Sequence, residues 1–341
     1  MNKKLDKKSL IRIYFQKSDR LSTQNPDYVK TLSSLFQWMI AADSVSDDVT
    51  TKLLNLSGTK KATIITKEPI VVAGLEEIVY LLKTHTSLAL STMHKDGEKI
   101  ANHKLVATIH GNIKEILSYE RTILNILQRM SGIATTTYKL VHLINSQPFG
   151  RLRNLRASPP PYIAATRKTP WVLLDKKAVS VGGGLTHRLS LSDGILVKDN
   201  HLSAIGKVKI LDSTIEMVKY AVTTLLSHHN NELIEIEVTN YDEAHAAVSA
   251  WSTISISSKG RSAFGGNNYF ALLLDNFSPQ RAKETVSKLR KSFDLSTIII
   301  EASGGIDEKN IGDWATTGVD ILSLGSLTHS VRASNISLDL E

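Results

Sequence analysis

In its second half this chain alternates regularly between short apolar runs and helical stretches, and this alternation limits the folds that it can adopt. The apolar runs are 194–197, 233–238, 270–274, 297–300 and 319–324, and the helical stretches are 204–227, 241–250, 279–293 and 308–316. Consecutive parallel strands need a crossover connection, and a helix is the usual one. The alternation therefore predicts an α/β fold around a parallel sheet, either a barrel or a doubly wound sheet.

The first part of the chain has a different pattern. Apolar residues at three- and four-residue steps predict amphipathic helices over 28–40 and 113–127. Between these helices, over 62–110, short β-branched runs alternate with turn residues and with one helical piece at 75–83. This arrangement predicts an α+β unit with an antiparallel sheet.

Length and composition limit the class of protein. A chain of 341 residues has room for about two domains. No apolar run approaches the ~18 residues that a membrane span needs, and the N-terminal segment lacks the apolar core of a signal peptide. The absence of cysteine excludes disulfides, thiolate nucleophiles and cysteine-bound metals. We therefore expect a cytoplasmic protein with no membrane partner.

The positive charge is concentrated at one end of the chain. Residues 1–20 hold seven Lys or Arg and two Asp, a net charge of +5 out of +8 for the whole chain. The remainder has an ordinary charge balance, so we expect no nucleic-acid partner. Residues 1–25 are predicted to form a flexible basic tail, and the segments 151–161 and 252–268 are predicted to be loop insertions.

Polar groups stand at the end of each predicted strand in the second half. They are Lys198, Glu237, Asp275, Ser303 with Gly304 and Gly305, and Gly325 with Ser326. In a β/α barrel the carboxyl ends of the strands form the active-site face. Polar groups at five successive strand ends therefore indicate one shared pocket rather than five unrelated strand caps.

Two of these strand ends and a set of cations point to an anionic ligand. Glycines after a strand let the backbone approach a phosphate, so 303–305 and 325–326 predict phosphate binding. The cations that lie upstream are Arg167, Lys168, His187 and Arg188. Arginine binds a carboxylate through two parallel hydrogen bonds, and lysine acts as a compact point charge. The cluster predicts a substrate with several carboxylates or phosphates.

Seven segments that carry these residues resemble the quinolinate phosphoribosyltransferase family. They are ERTILNILQRMSGIAT (120–135), ATRKTP (165–170), KKAVSVGGGLTHRLSLSDGILVKDNH (176–201), IEIEVTNYDEA (234–244), LLLDNFSP (272–279), IEASGGIDEKNI (300–311) and GVDILSLGSLTHS (318–330). The resemblance runs in order from about residue 28 to residue 330. It implies an enzyme of NAD biosynthesis that converts quinolinate and phosphoribosyl pyrophosphate, with Mg²⁺, to nicotinate mononucleotide, pyrophosphate and carbon dioxide.

The resemblance also implies an architecture. The fold is an incomplete parallel β/α barrel with an N-terminal α+β sandwich domain, and the partner subunit's sandwich domain covers the mouth of the barrel. The implied boundaries are 26–125, joined by 330–341, for the sandwich domain and 126–329 for the barrel. The expected assembly is a homodimer with shared active sites, alone or within a higher oligomer.

By the same resemblance, each candidate site residue has an expected role. Those that resemble ligands of quinolinate and of the phosphates are Arg167, Lys168, His187, Arg188 and Lys198, and Arg121 resembles the arginine that enters the neighbouring subunit's site. Those that resemble the 5′-phosphate site are Ser303, Gly304, Gly305 and Gly325, with Ser326 and His329 nearby. The residues expected to be catalytic are Lys168, Lys198, Glu237 and Asp275. Glu237 and Asp275 are expected to hold the ribose hydroxyls or the Mg²⁺-bound pyrophosphate, and Mg²⁺ is expected to bind mainly through that pyrophosphate.

The chain departs from the family pattern in the loop at 169–172. Where the family commonly reads TRKTTPG followed by an arginine, residues 169–172 of this chain read TPWV.

Three other functions stay open. A sister group associated with molybdenum transport shares the RKT and GGG–HR patterns, although it lacks the KDNH found at 198–201. A lyase could use Lys198 or Lys168 as a Schiff base. An RNA-binding module could use the basic tail.

Overall fold

The computed structural model describes residues 5–146, 159–228, 233–256 and 269–341. None of the helices in these ranges is long and apolar enough to cross a membrane. The predicted insertion at 151–161 lies outside the described residues except for its last three positions. The predicted insertion at 252–268 also lies mostly outside them, although residues 252–256 continue a helix.

The helices and strands within these ranges are numbered in chain order. The helices are α1 (Lys7–Phe15), α2 (Pro26–Ala42), α3 (Val49–Leu53), α4 (Leu75–His85), α5 (Ile113–Ser146), α6 (Leu173–Val181), α7 (Asp199–Lys209), α8 (Thr214–His228), α9 (Tyr241–Ile256), α10 (Pro279–Ser292), α11 (Ile311–Trp314) and α12 (Ser326–His329). The strands are β1 (Thr59–Thr66), β2 (Ile70–Val71), β3 (Ala89–Ser91), β4 (Lys99–Ile100), β5 (Leu105–Asn112), β6 (Tyr162–Ala165), β7 (Ile195–Val197), β8 (Leu233–Val238), β9 (Tyr269–Asp275), β10 (Ile298–Ser303), β11 (Ile321–Leu324) and β12 (Ile336–Leu340).

The chain forms two compact units, and the first contains the parallel sheet. This parallel-sheet unit comprises residues 1–16, 140–167 and 187–324. Its strand order is β6-β11-β10-β9-β8-β7, and every neighbouring pair is parallel. From β7 to β11 each strand lies beside its successor, and β6 lies beside β11. This is the order of a β/α barrel left open between β6 and β7. The predicted α/β fold around a parallel sheet is confirmed, and its strand order is the one expected for an incomplete β/α barrel.

The register of this sheet places its acidic residues on one face. Glu237 and Glu301 lie at the same level, on either side of β9. Asp275 and Ser303 are register partners further towards the carboxyl ends. Because side chains along a strand alternate between the two faces, Glu235 shares the face of Glu237. The alternate positions of β8, β9 and β10 are apolar and buried, and they form the opposite, helix-covered face.

One helix of the parallel-sheet unit differs from the prediction. The stretch 204–227 is not a single helix but two, α7 and α8. The break follows Ile210, which adopts a φ of +58°. Ser213 and Glu216 have the spacing of a capping box, and the Glu216 N–H donates to Ser213 Oγ. Ser213 and Glu216 therefore mark the start of α8 in the sequence, although the apolar periodicity continues across this position.

The N-terminal segment also differs from the prediction, because the expected flexible tail at 1–25 contains a folded helix. α1 begins after Asp6, whose carboxylate accepts the Ser9 N–H at 2.8 Å. Leu10 and Phe15 are fully buried. Lys7 Nζ lies 3.0 Å from Asp320 Oδ2. The high charge of the segment suggested disorder, but Leu10, Ile11 and Phe15 share one helical face that is buried in the parallel-sheet unit.

The second unit contains the antiparallel sheet. This antiparallel-sheet unit comprises residues 17–139, 168–186 and 325–341. Its main sheet has the order β12-β1-β5-β3, and all three pairs are antiparallel. The C-terminal strand β12 thus pairs with β1 from the start of the chain. Helices α2 and α4 occupy the predicted positions at 28–40 and 75–83, extended by a few residues.

A buried acidic residue in α4 gives the antiparallel-sheet unit a pH-dependent stability. Glu77 is fully buried, and its Oε1 accepts a hydrogen bond of 2.7 Å from the Tyr28 hydroxyl. Burial, together with the charge of Asp96, raises the pKa of Glu77 to about 7, although Lys177 opposes this rise. The folded state therefore holds a proton that the unfolded state has already lost at the same pH. Stability falls as pH rises from about 4.5 to about 7.

We expect Glu77→Gln to remove this loss of stability. Relative to the wild type, the variant should gain about 1–3 kcal/mol in free energy of unfolding between pH 4.5 and pH 8, because the amide carries no charge to bury. Urea unfolding at both pH values measures the difference. Lys177 keeps its 2.6 Å ion pair with Glu76 in the variant. Glu284→Gln, on the exposed side of α10, is the matched control, and an equal gain in that variant would contradict the assignment to Glu77.

Candidate active site

The carboxyl ends of β7 and β8 bring a lysine and a glutamate together. Lys198 directly follows β7, and its Nζ lies 3.7 Å from Glu237 Oε2. The Lys198 side chain is 46% exposed, whereas the Glu237 side chain is 10% exposed. The lysine can therefore meet an anion from solvent while it faces a largely buried carboxylate.

Glu237 is surrounded by more negative than positive charge. Burial raises the pKa of Glu237, Lys198 lowers it, and the charges of Asp275 and Asp199 raise it again. An added positive charge would favour the ionised form of such a carboxyl group. Glu237 and Asp275 together therefore suit a cation, or a sugar carbon that gains positive charge during reaction.

The ends of β9 and β10 form a tight backbone arrangement around Asp275. The Asn276 N–H donates to the Ser303 carbonyl at 2.9 Å, and Asn276 Nδ2 donates to Asp275 Oδ2 at 2.8 Å. Gly304 adopts a φ of +93°, and a Cβ at this position would lie 2.2 Å from Asn276 Oδ1. Only glycine is compatible with both the conformation and the close approach.

The backbone of Gly305, next to this arrangement, is accessible. Its φ is +63°, and a Cβ built on it would meet no atom within 4 Å. The Gly305 carbonyl accepts a hydrogen bond of 2.7 Å from Asn310 Nδ2, which fixes the turn. An accessible glycine backbone after a parallel strand is the type of surface to which a phosphate can bind. The open backbone at Gly305 is compatible with phosphate binding by residues 303–305, which stays a prediction.

Within the parallel-sheet unit, the charge of Arg167 acts on Arg188. Arg188 is half-buried, and its Nη1 donates to the Gly194 carbonyl at 3.1 Å. Burial lowers the pKa of Arg188, the charge of Glu235 raises it, and the charge of Arg167 lowers it again. Two guanidinium groups close enough to disfavour each other's charge are stabilised by an anion between them. Arg167 is exposed and can contribute to such a site.

His187, the residue before Arg188, is directed into the protein. Its Nε2 lies 3.2 Å from Glu235 Oε2 and 3.1 Å from Glu301 Oε2. The Arg188 N–H donates to His187 Nδ1 at 2.6 Å. Burial lowers the pKa of His187, and the charges of Glu301 and Glu235 raise it. Nε2 therefore carries a proton between the two carboxylates, whereas Nδ1, which accepts the Arg188 N–H, carries none.

Two partners of His187, Glu235 and Glu301, were not among the site residues predicted from the sequence. Each is 1% exposed and lies inside a strand. Acidic residues are rarely fully buried unless they are paired. An acidic residue within the apolar runs LIEIEV and IIIEAS was therefore a signal for a buried cation. The sequence alone did not reveal that one histidine meets both.

The antiparallel-sheet unit holds the remaining candidates, and three of them lie together. A Cβ on Gly325 would lie 2.9 Å from His329 Nε2 and 3.3 Å from Lys168 Cδ. The Thr328 hydroxyl donates to the Lys168 carbonyl at 2.8 Å, which holds this backbone beside α12. Ser326 is the first residue of α12. Lys168, Gly325 and His329 thus form one cluster in this unit.

Arg121 is placed differently from the other candidates. It lies on α5, its side chain is 58% exposed, and its Nη2 is 2.8 Å from Oε1 of the adjacent Glu120. An exposed arginine in a pair with its own neighbour can be redirected to another partner at small cost. The role of Arg121 in a neighbouring subunit's site stays a prediction.

Comparison with known proteins identifies the family. The model of the quinolinate phosphoribosyl transferase C-terminal domain matches residues 133–339, and that of the N-terminal domain matches residues 48–131. The chain belongs to the quinolinate phosphoribosyltransferase family. Membership of this family argues against a Schiff-base lyase and against an RNA-binding module as the main function of the chain.

Individual members of the family match most of the chain. A probable nicotinate-nucleotide pyrophosphorylase [carboxylating] of Methanothermobacter thermautotrophicus is 32% identical over 91% of this chain and 99% of its own length. A mitochondrial quinolinate phosphoribosyltransferase [decarboxylating] of Nicotiana glauca is 31% identical over 91% of this chain and 82% of its own. The structure of the nicotinate-nucleotide pyrophosphorylase from Francisella tularensis has a TM-score of 0.68 and 30% identity, covering 92% of this chain and 96% of that one.

The loop that departs from the family pattern has a defined structure. Val172 adopts a φ of +46°, a conformation that is rare for a β-branched residue. The Trp171 ring lies 5.1 Å from the Arg129 guanidinium carbon. Arg129 also forms two hydrogen bonds of 2.8 Å to Asp175, and the Thr169 hydroxyl donates to the same carboxylate. A network of side chains thus holds the loop where the family commonly has glycine.

Proposed function

We propose that this quinolinate phosphoribosyltransferase family member transfers the phosphoribosyl group of phosphoribosyl pyrophosphate to quinolinate and decarboxylates the product. The products are nicotinate mononucleotide, pyrophosphate and carbon dioxide, and the reaction belongs to NAD biosynthesis. The main support for this function is the arrangement of charged residues at the ends of the parallel strands, in a chain that belongs to this family. Cations at Lys198 and at the Arg167–Arg188 pair lie in the same unit as the Glu237–Asp275 carboxylates. Quinolinate supplies two carboxylates for the cations, and the developing ribose cation suits the carboxylates.

The chain's own residues can carry the transfer step. Arg167 and Arg188 would hold quinolinate by its carboxylates, so that the pyridine nitrogen faces ribose C1. Glu237 and Asp275 would stabilise the positive charge that C1 gains as its bond to pyrophosphate breaks. The nitrogen lone pair then forms the C1–N bond, and the electron pair of the broken bond leaves on pyrophosphate.

Decarboxylation follows from the charge that the new bond creates. The quaternised ring nitrogen stabilises the electron pair that remains on the ring carbon when its carboxylate leaves as carbon dioxide. A proton from water then replaces the lost group. The residues of the site need only keep the ring in place during this step, and no separate general base is required.

The carboxylates of the site fit a Mg²⁺ ion. Carboxylate oxygens are the ligands that Mg²⁺ prefers, and a magnesium site commonly combines one or two carboxylates with substrate phosphates. Glu237, whose pKa is raised by burial and neighbouring acids, and Asp275 would hold the ion together with the pyrophosphate. When bound, Mg²⁺ neutralises charge on the leaving group.

The remaining ligands are proposed from the family resemblance. The accessible glycine backbone at 303–305 is proposed to bind the 5′-phosphate, with Gly325, Ser326 and His329 as further ligands. Lys168 and Lys198 are proposed to contact the anionic substrates. A cytoplasmic location and the absence of a nucleic-acid partner stay predictions of the sequence.

Substrate discrimination tests the proposed reaction. Purified protein with Mg²⁺ and phosphoribosyl pyrophosphate should form nicotinate mononucleotide from quinolinate and none from nicotinate, because nicotinate lacks the second carboxylate that the arginine pair requires. Chromatography of the nucleotide product measures both reactions. Product from nicotinate alone would retain phosphoribosyl transfer and reject decarboxylation.

A shared active site in a homodimer is also proposed, and complementation tests it. Arg121→Ala and Lys198→Ala should each retain only a small residual activity alone. When the two variants are unfolded together and refolded, about a quarter of the wild-type activity should return, since half of the dimers are mixed and each mixed dimer keeps one intact site. Activity that stays at the level of the separate variants would contradict a site built from two subunits.

A further inference from the structure

α1 lies outside the segments matched by the two family models, which cover 48–131 and 133–339, yet it contacts a predicted site residue. The fully buried Phe15 ring meets the His187 ring edge-on, with the centroids 4.7 Å apart. The His187 N–H donates to the Phe15 carbonyl at 2.9 Å. A side-chain contact and a main-chain hydrogen bond therefore join the end of α1 to His187.

The backbone of His187 requires such support. Its φ is +54°, in the left-handed region that residues other than glycine rarely occupy. Strained residues persist only where their surroundings determine the conformation, and they are frequent at functional sites. The Phe15 carbonyl fixes the backbone of His187, and the Phe15 ring limits where its imidazole can lie.

The imidazole of His187 in turn fixes the residue that follows it. Its Nε2 faces Glu235 and Glu301, its Nδ1 accepts the Arg188 N–H at 2.6 Å, and the residue is only 8% exposed. Both ring nitrogens are thus engaged inside the parallel-sheet unit. This arrangement sets the start of the Arg188 side chain, which is half-buried beside the charge of Arg167.

We propose that α1 positions Arg188 for binding of the quinolinate carboxylates, acting through Phe15 and His187. The proposal rests on the proposed function, because it takes quinolinate as the anion. Arg188 is the residue that touches the substrate, and Phe15 and His187 are positioning residues. Small displacements of a charged group that orients a substrate have large effects on binding and rate, so a contact one helix away can matter.

A double-mutant cycle tests whether Phe15 acts through Arg188. Phe15→Leu keeps an apolar side chain in the core but removes the ring edge from His187. Calorimetric titration with quinolinate, without phosphoribosyl pyrophosphate, should show a dissociation constant about tenfold higher for Phe15→Leu than for the wild type. In an Arg188→Ala background the same substitution should change the dissociation constant by less than about twofold, because the group it positions is absent.

Two control variants separate positioning from general destabilisation. Ile13→Ala changes a 51% exposed residue of α1, and Leu32→Ala removes fully buried volume from α2 in the other unit. Both should leave the quinolinate dissociation constant unchanged, although Leu32→Ala lowers the melting temperature. Equal weakening by Phe15→Leu in both backgrounds, or no weakening in either, would overturn the proposal. Wild-type protein that binds no quinolinate would instead reject the proposed function.

Discussion

Lys198→Ala should lower kcat/KM for quinolinate by about 10²–10³-fold, the typical cost of losing one preorganised charge from an active site. The substitution removes a cation that is exposed to solvent and 3.7 Å from Glu237. It also leaves Glu237 with Asp275 and Asp199 as its nearest charges, so that the pKa of Glu237, already raised by burial, rises further. Steady-state kinetics with quinolinate as the varied substrate measure the loss.

The control for this prediction is Lys207→Ala, an identical change at an exposed position of α7. It should leave kcat/KM unchanged, and neither variant should change the melting temperature by more than a few degrees, because both side chains are exposed. A loss of less than about fivefold for Lys198→Ala would contradict the role of Lys198 in the site.

Borohydride distinguishes the role of Lys198 as a charge from a covalent role. A Schiff-base lysine requires desolvation, whereas Lys198 is about half exposed and adjacent to a carboxylate. Reduction with borohydride in the presence of quinolinate should therefore add no mass to the protein. A stable adduct on Lys198 would contradict the transferase chemistry proposed for this site.

Asp175→Ala should lower the free energy of unfolding by about 3–5 kcal/mol, the usual cost of removing one partner from a buried ion pair. The Asp175 side chain has no solvent exposure and receives two hydrogen bonds from Arg129, whose side chain is 19% exposed. The Thr169 hydroxyl donates to the same carboxylate. The substitution leaves the Arg129 guanidinium largely buried without its counterion and releases the loop that carries Trp171.

Urea unfolding at pH 7 measures this loss. Asp47→Ala removes an aspartate from an ion pair that is exposed at both ends, 2.9 Å from Lys52, and it should give no measurable change. If the two aspartate variants were equally stable, the Arg129–Asp175 pair would contribute nothing, and the conformation of the 169–172 loop would need another explanation.

The strands of the parallel sheet were predictable because their pattern is simple. A strand that is covered on both sides is a short apolar run, and the predicted run 233–238 coincides with β8. β6 escaped prediction because its four residues directly follow three prolines, which indicate irregular structure. The polar residues at the strand ends could also be predicted from the sequence, because each interrupts an apolar run.

Contacts between distant residues could not be derived in this way. Phe15 and His187 are 172 positions apart, and nothing in either local sequence predicts that they meet. α1 was not predicted for a second reason: its charged residues suggested a flexible tail, although Leu10, Ile11 and Phe15 share one buried face. The resemblance to a known family supplied the roles of the site residues, but it did not supply the two buried glutamates beside His187.

The most direct test of the proposed reaction is the stoichiometry of its two bond-breaking events. With quinolinate labelled in the carboxylate adjacent to the ring nitrogen, Mg²⁺ and phosphoribosyl pyrophosphate, the protein should release one labelled carbon dioxide for each nicotinate mononucleotide formed. Carbon dioxide without nucleotide, nucleotide that retains the label, or no product at all would contradict phosphoribosyl transfer coupled to decarboxylation at this site.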